Sequence, residues 1–368
     1  MSDTTKSSGS AGLLTIPESK LVALSQLVLE AYGCSANEAS IVAAHLVGAN
    51  LAGHDSHGVG MLPAYGAQVR DGNLIPNQTL SVVSQHGGVT ILDGRRGFGH
   101  RMALEALDTV LDSVSTHGVV VMGLRNAGHI SRTGHYAEYC AARGLVSLHF
   151  VNVIGHSPLV TPFGGRQPVF STNPISMAMP VAGEAKPMLD MATSEIAFGK
   201  VRVAHNKGTT VPDGCLVDAE GRPTNDPTPM ATELQGALTA FGAHKGSGLG
   251  IFAELLAGAL VSGDTVASVP PLANGAVNSL FSVILDPAAF GDPAQIERET
   301  EQFCGAVTQA QPALDQQEVL LPGEPEHRSR QARGAHGIPV DPVTLAHILD
   351  TARTFGVTDS DIDQWNAL

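Results

Sequence analysis

The sequence predicts a mixed α/β chain with an α+β texture in its second half, and three observations carry that reading. Paired amphipathic helices open the chain, short apolar runs alternate with helical stretches through its middle, and from Pro293 onward it is mainly helical. At 368 residues, with 43% apolar and 15% charged, it buries a sizeable core and has room for one large domain or two to three ordinary ones.

The elements follow in order. Leu21, Val22, Leu24, Leu27, Val28 and Leu29 recur at helical spacing from Ser19 to Ala31, and Gly33 supplies the stop. Ser35 with Glu38 is a capping-box pattern that opens a second helix through Ile41, Val42, Leu46, Val47 and Leu51, ended by Gly53. Gly88 to Gly94 alternates and turns as a strand does, and Met102 to Ser115 is helical. Val119 to Met122 then reads as a buried strand, His135 to Arg143 as a helix and Leu145 to Val151 as a strand. A Gly/Pro-rich stretch runs from Gly155 to Pro174, Pro187 to Asp190 is a strand, and Lys200 to Leu234 is a long polar region. Lys245 opens a helix to about Ser262, and Val277 to Leu285 is a strand. Helices are expected at Pro293 to Val307, Pro342 to Phe355 and Asp359 to Asn366.

Composition excludes several function classes. Lys plus Arg number 21 against 35 Asp plus Glu, a formal charge of −14, which disfavours nucleic acid and anionic membrane surfaces as partners. No run reaches the roughly 18 apolar residues of a membrane span. The polar, Ser/Gly-rich start lacks the form of a secretory signal and reads as a frayed tail in a cytoplasmic protein. Cys34, Cys140, Cys215 and Cys304 show neither CxxC nor zinc-ligand spacing, which fits a reducing compartment and argues against a metal held through sulfur. GxGxxG after a strand, GxxxxGK[ST], HExxH and GxSxG are all absent, so an ordinary Rossmann site, phosphate-loop hydrolases, zincins and α/β-hydrolases have no positive support.

Two polar clusters remain. His54-Asp55-Ser56-His57-Gly58 follows a helix C-terminus; an imidazole exchanges a proton near neutral pH, and a flanking Ser or Asp fixes its tautomer. The same turn also reads as backbone-bonded loop histidines, or as two metal ligands short of a third. The second cluster, Asn126 to His135, lies between a strand and a helix, where a donor-rich turn binds an anion or cofactor or merely caps the helix. Ser171 to Pro174 is in itself a turn, and Lys245-Gly246 a lysine at a helix start.

Taken together and in order, His54 to Pro63, Ser171 to Pro174, Leu189 to Ser194, His244 to Gly246 and Leu321 to Glu324 resemble the malate/L-lactate dehydrogenase family, which also holds ureidoglycolate, sulfolactate and piperideine-2-carboxylate enzymes. The resemblance spans residues 15 to 368 and is greatest to the hydroxycarboxylate dehydrogenase branch, which shares the GHDSHG-x-GM run and an Arg three residues after the His of the second cluster. It implies a non-Rossmann fold binding NAD or NADP, and a helical domain formed by the N- and C-terminal segments. The expected organisation is a disordered tail at 1–14, an N-terminal helical segment with the catalytic loop at 15–80, a cofactor- and substrate-binding α/β region at 81–320, and a C-terminal helical segment at 321–368 packing with the N-terminal helices. A homodimer acting on a small 2-oxo or 2-hydroxy acid is implied as well.

By the same resemblance His57 is the proton donor or acceptor, with Ser56 as its orienting partner, while His129 is either an active-site base or part of the dinucleotide loop. Ile130, Ser131, Arg132 and Thr133 complete that loop. Thr172, Asp190, Met191, Ala192, Lys245, Gly246 and Gly323 match cofactor-contacting positions, and no metal is implied. One departure stands out: Met61 occupies the position where many members carry a carboxylate-binding Arg. A thioether cannot form that bidentate pair, so Arg132 is expected to take over, with Met61 widening an apolar pocket toward bulkier acids such as arylpyruvates. The stretch Val181 to Lys186 offers no basic residue before Lys186, which tilts the coenzyme weakly toward NAD. The alternatives are a reductase of cyclic imino acids of the piperideine-2-carboxylate type and, from another class, a metal-dependent hydrolase or lyase built on His54, Asp55, His57 and His129.

Overall fold

A computed structural model describes residues 12–181 and 187–368. The expected tail at 1–14 therefore falls, except for its last three residues, outside the described residues, as does the stretch expected to bear on coenzyme choice, from residue 182 to Lys186. The chain separates into two compact units, one of residues up to Gly66 with Arg328–Leu368 and one of Ala67–His327. Those edges lie inside the segment boundaries expected at 80 and 321.

The smaller unit joins both ends of the chain. It carries β1 (Leu14–Ile16), α1 (Glu18–Ala31), α2 (Ala36–Leu51) and the start of α3 (Leu62–Arg70). Ser35 caps α2 by accepting the Glu38 backbone N–H, as the capping pattern predicts.

The larger unit contains β2 (Ser81–His86), β3 (Val89–Asp93), α4 (Gly99–His117), β4 (Val119–Gly128), α5 (Gly134–Ala141), β5 (Val146–Ile154), β6 (Ile175–Ala178) and β7 (Met188–Met191). The region expected to be merely polar holds α6 (Phe198–Lys207), β8 (Leu216–Val217), β9 (Pro223–Thr224) and α7 (Thr228–Glu233), followed by β10 (Ala237–Leu238). Then come α8 (His244–Glu254), a π-helical segment Leu255–Leu260, β11 (Val277–Leu285), α9 (Pro293–Thr308) and α10 (Glu324–His336), which runs on into the smaller unit. The remaining elements belong to the smaller unit: β12 (Ile338–Val340), α11 (Pro342–Thr354) and α12 (Asp359–Ala367). There β1 pairs antiparallel with β12, Leu14 opposite Val340, and the Trp365 Nε1–H donates to the Lys20 carbonyl at 2.7 Å, fastening α12 to α1.

Among the described residues the main sheet has seven strands in the order β2-β3-β4-β11-β5-β6-β7. Only β3 and β4 run parallel; every other neighbouring pair is antiparallel. This is not the doubly wound parallel sheet of a Rossmann domain, in keeping with the missing glycine fingerprint. Met102, Ala106, Leu107, Val110 and Val114 of α4 pack with Val120, Met122 and Leu124 of β4 and Leu280 and Ile284 of β11. Each fully buried Val, Leu, Ile or Met side chain contributes about 1.5–3 kcal/mol, so β4 and β11 are held on a rigid base. Among the described residues no helix is long and apolar enough to cross a membrane.

Candidate functional site

Two groups of polar side chains emerge, one in each unit. In the smaller unit α2 stops at Leu51, and Gly53 reverses the chain at φ +87°. Asp55–His57 then forms a single 3-10 turn followed by a second, Val59–Met61. Asn50 braces both: its Nδ2 donates to Asp55 Oδ1 at 2.7 Å and its Oδ1 accepts the Val59 N–H at 2.9 Å. Arg333 completes the brace, donating from Nη1 and Nη2 to the two Asp55 oxygens at 2.6 and 3.1 Å and from Nη1 to the Asn50 carbonyl. A Cβ on Gly58 would collide with the Asn50 amide, so glycine alone fits there.

On this braced turn Ser56 Oγ lies 3.0 Å from His57 Nδ1. The contact involves Nδ1, the ring nitrogen nearer the backbone. Of the two flanking residues, Ser56 is the one in contact with the imidazole, while the Asp55 carboxylate is turned to Asn50 and Arg333. His57 and Met61 are half-buried and Ser56 is exposed. Among the described residues no three His, Cys, Asp or Glu converge in a way that suits a metal ion.

In the larger unit β4 extends through Gly128, so Asn126 to Gly128, expected in a loop, are strand residues. From His129 the chain passes Ser131 at φ +59° and enters α5 at Gly134. The segment is stitched to the sheet edge: Thr133 Oγ1 donates to Asp190 Oδ1 at 2.8 Å, and Ser176 Oγ donates to the Thr133 carbonyl at 3.0 Å. Ser176 of β6 and Asp190 of β7 are register partners. Glycine at 134 is again required, because a Cβ would sit 2.6 Å from Asp190 Oδ2 and 2.7 Å from Arg132 Nη2.

Arg132 does not fit the task expected of it. It is 3% exposed, and its Nη1 and Nη2 donate to the two Glu138 oxygens at 3.0 and 2.9 Å while Nε pairs with Asp190 Oδ2 at 3.2 Å. Burial opposes its charge, but the hydrogen bonds and charge of Glu138, with Asp190 and Glu326 beyond it, outweigh that and push its pKa up. The fork that would grip a substrate carboxylate already grips the Glu138 carboxylate, with that of Asp190 as a second ion pair at Nε.

The other matched positions gather along the same edge. Thr193 donates through N and Oγ1 to the Thr172 carbonyl at 2.8 and 2.9 Å, Phe241 N donates to the Thr193 carbonyl at 3.1 Å, and Gly246 N to the Phe241 carbonyl at 3.0 Å. Met188 N donates to the Pro322 carbonyl at 2.9 Å, which brings the turn at Gly323, φ +94°, beside β7. His129–Thr133, Thr172, Asp190–Ala192, Lys245–Gly246 and Gly323 thus form one connected ledge. Ser56, His57 and Met61 belong to the other unit's turn. Sequence reasoning missed Arg333, Asn50 and Thr193; no local pattern marks Arg333, whose partner Asp55 lies 278 residues away.

A dinucleotide asks for backbone donors and a cation at its phosphates. The opening of α8 supplies the cation, exposed Lys245 beside Gly246, at a helix start whose backbone lies too close to the Phe241 carbonyl for any side chain at 246; the N–H groups of Lys245, Gly246 and Ser247 are bonded to the Gly242, Phe241 and Ala243 carbonyls. The residues present fit the coenzyme.

A sequence model described as malate/L-lactate dehydrogenase matches residues 16–349. The chain belongs to the malate/L-lactate dehydrogenase family. Hydroxycarboxylate dehydrogenase B of Escherichia coli (strain K12) is 41% identical over 91% of this chain and 92% of its own length, and L-lactate dehydrogenase of Cupriavidus necator 36% identical over 91% and 96%. A solved structure of a "putative malate/lactate dehydrogenase from E. coli" superposes with a TM-score of 0.92 at 39% identity, covering 96% of this chain and 99% of that one. As a member of the malate/L-lactate dehydrogenase family the protein is an NAD(P)-dependent oxidoreductase that interconverts 2-hydroxy and 2-oxo acids. Family membership displaces the hydrolase reading, and the imino-acid alternative is the weaker of the two reductase readings.

Proposed function

We propose that the proton of this reaction moves through His57 Nε2, and that the substrate range extends to bulky 2-oxo acids such as arylpyruvates. The observation that carries the first part is the turn itself, an imidazole held through Nδ1 by Ser56 on a loop that Asn50 and Arg333 make rigid. In reduction His57 gives its proton to the carbonyl oxygen, so negative charge never builds up unneutralised there; in oxidation it takes the proton back. When bound, the nicotinamide supplies or accepts the hydride. His129, Ile130, Ser131 and Thr133, with Thr172, Asp190, Met191, Ala192, Lys245, Gly246 and Gly323, hold the coenzyme. Arg132 keeps that ledge rigid by neutralising Asp190 and Glu138. Half-buried Met61, in place of a guanidinium, leaves room for an aromatic side chain.

The active form is a homodimer in a reducing, cytoplasmic compartment. Supporting this, the four cysteines are unpaired, and the outer face of α8 and its π continuation leaves Phe252, Leu255 and Leu260 about half or more exposed, an apolar surface of the kind that marks contacts between proteins. Light scattering on the purified protein is expected to give twice the monomer mass. The decisive activity experiment follows nicotinamide absorbance over a panel of 2-oxo acids and cyclic imino acids with both coenzymes. Reduction of phenylpyruvate alongside smaller 2-oxo acids is expected; turnover of piperideine-2-carboxylate alone would replace this reading with the imino-acid one.

A further inference from the structure

Glu254, 8% exposed, closes α8 just before the π-helical segment and has no part in the chemistry above. It shares a helix face with Gly246, Gly250 and, one turn on, Gly258. The glycines allow the helix backbone to press inward: a Cβ at 250 would lie 2.7 Å from the Phe170 ring and 2.9 Å from Thr193 Oγ1, and one at 258 would lie 2.7 Å from the Asn152 amide. Glu254 is the one polar side chain in that row, and its carboxylate meets three donors. Oε2 accepts from Asn173 Nδ2 at 2.9 Å; Oε1 accepts from Val266 N at 2.9 Å and from Asn152 Nδ2 at 3.4 Å.

Both asparagines pass the connection on. Asn173, fully buried at φ +30° in the turn that contains Thr172, also donates to the Gly250 carbonyl of α8 at 3.0 Å. Its Oδ1 has no hydrogen-bond partner among the described residues, so the amide is turned to favour the helix. Asn278 Nδ2 donates to the Asn152 carbonyl and Asn278 Oδ1 accepts the Ile130 N–H, each at 2.9 Å. One buried carboxylate therefore connects three segments of the ledge: the helix that opens at Lys245, the Thr172 turn and the His129–Thr133 loop.

We propose that Glu254 is a positioning residue for the coenzyme, setting Lys245 and Gly246 in register with Thr172 and Ile130. The proposal rests on the reading that these residues receive the dinucleotide. Glu254→Gln keeps the shape but points an NH2 at a donor. In fluorescence titrations of the full chain with NADH and NADPH, it is expected to weaken binding of the coenzyme that the wild type takes by about tenfold, the size of one lost charge-assisted hydrogen bond. At saturating coenzyme, kcat is expected to stay within about threefold, because the proton-transfer turn is untouched. Asn173→Ala is expected to give a similar loss, and the double variant little more, since both act on one connection. A folded Glu254→Gln chain with wild-type coenzyme affinity overturns the proposal. So does a fall in kcat that matches the loss of affinity. If Glu254→Gln does not fold, wild-type affinity in Asn173→Ala overturns it instead. A wild-type chain that binds neither coenzyme removes the site reading itself, and this proposal with it.

Discussion

The turn at Asp55–His57 and the ledge at His129–Gly134 each place an arginine against carboxylates, but they use it in opposite ways. Arg333 stands behind Asp55, with its partner about half exposed, and leaves the imidazole on the accessible side of the turn. Arg132 is sunk against Glu138 and Asp190 and spends its whole guanidinium inside the protein. On the function proposed above, the first arrangement makes a movable proton available, and the second removes charge from a surface that holds the coenzyme. An arginine in a functional loop is thus no guide to its task until its partners are known.

The contrast can be broken most sharply at His57. His57→Ala is expected to lower kcat by about 10²–10⁴, the usual worth of a general acid–base, with coenzyme affinity and melting temperature nearly unchanged; near-normal turnover would move the proton elsewhere, His129 first. Arg132→Ala should do the reverse. Removing one partner of a buried ion pair costs about 3–5 kcal/mol, so calorimetry is expected to show a large fall in melting temperature, with KM for the 2-oxo acid little altered in whatever folds. An unchanged melting temperature with a raised KM would restore Arg132 as the carboxylate receptor.

The smallest effect concerns the imidazoles that do no chemistry. Burial pushes the pKa of His149, set between Ser147 and Ser282, down to about 3, and burial, with His135 nearby, does the same to His100. Unfolded, each titrates near 6.5. Between those values the unfolded chain binds a proton that the folded chain refuses, so stability falls as pH falls, by about 1.4 kcal/mol per pH unit for each histidine. His149→Ala is expected to flatten the slope of unfolding free energy between about pH 4 and pH 6 by one histidine's share; an unaltered slope would mean that His149 is protonated in the native state.

What could be read from the sequence depended on whether a local pattern existed. Amphipathic periodicity marks α1, α2 and α4, and the apolar runs mark β3, β5 and β11, because burial on one face imprints its period on the chain. α10 has no such imprint: Glu324 to His336 carries no buried residue, and its place is set by contacts such as Ser329 with the Leu51 carbonyl. β6 follows directly on the Gly/Pro-rich stretch, and its four residues, Ile175–Ala178, are too few to show a period of their own. Among the candidate residues, the motifs single out Ser56 and His57 in one unit and Thr172 and Lys245 in the other, but not the hydrogen bonds that join Thr172 to Gly246 through Thr193 and Phe241. Nor do they separate a committed Arg132 from one awaiting a ligand, since both look the same until Glu138 and Asp190 are in place.

The pairing of β1 with β12, and of Asp55 with Arg333, has a consequence for how the enzyme comes into being. A ribosome delivers Asp55 long before Arg333, and β1 long before β12. The whole larger unit is translated in the interval. On the function proposed above, every residue of the ledge is made before the turn at His57 can gain its brace, so turnover is expected to need chain well beyond the part that holds the coenzyme.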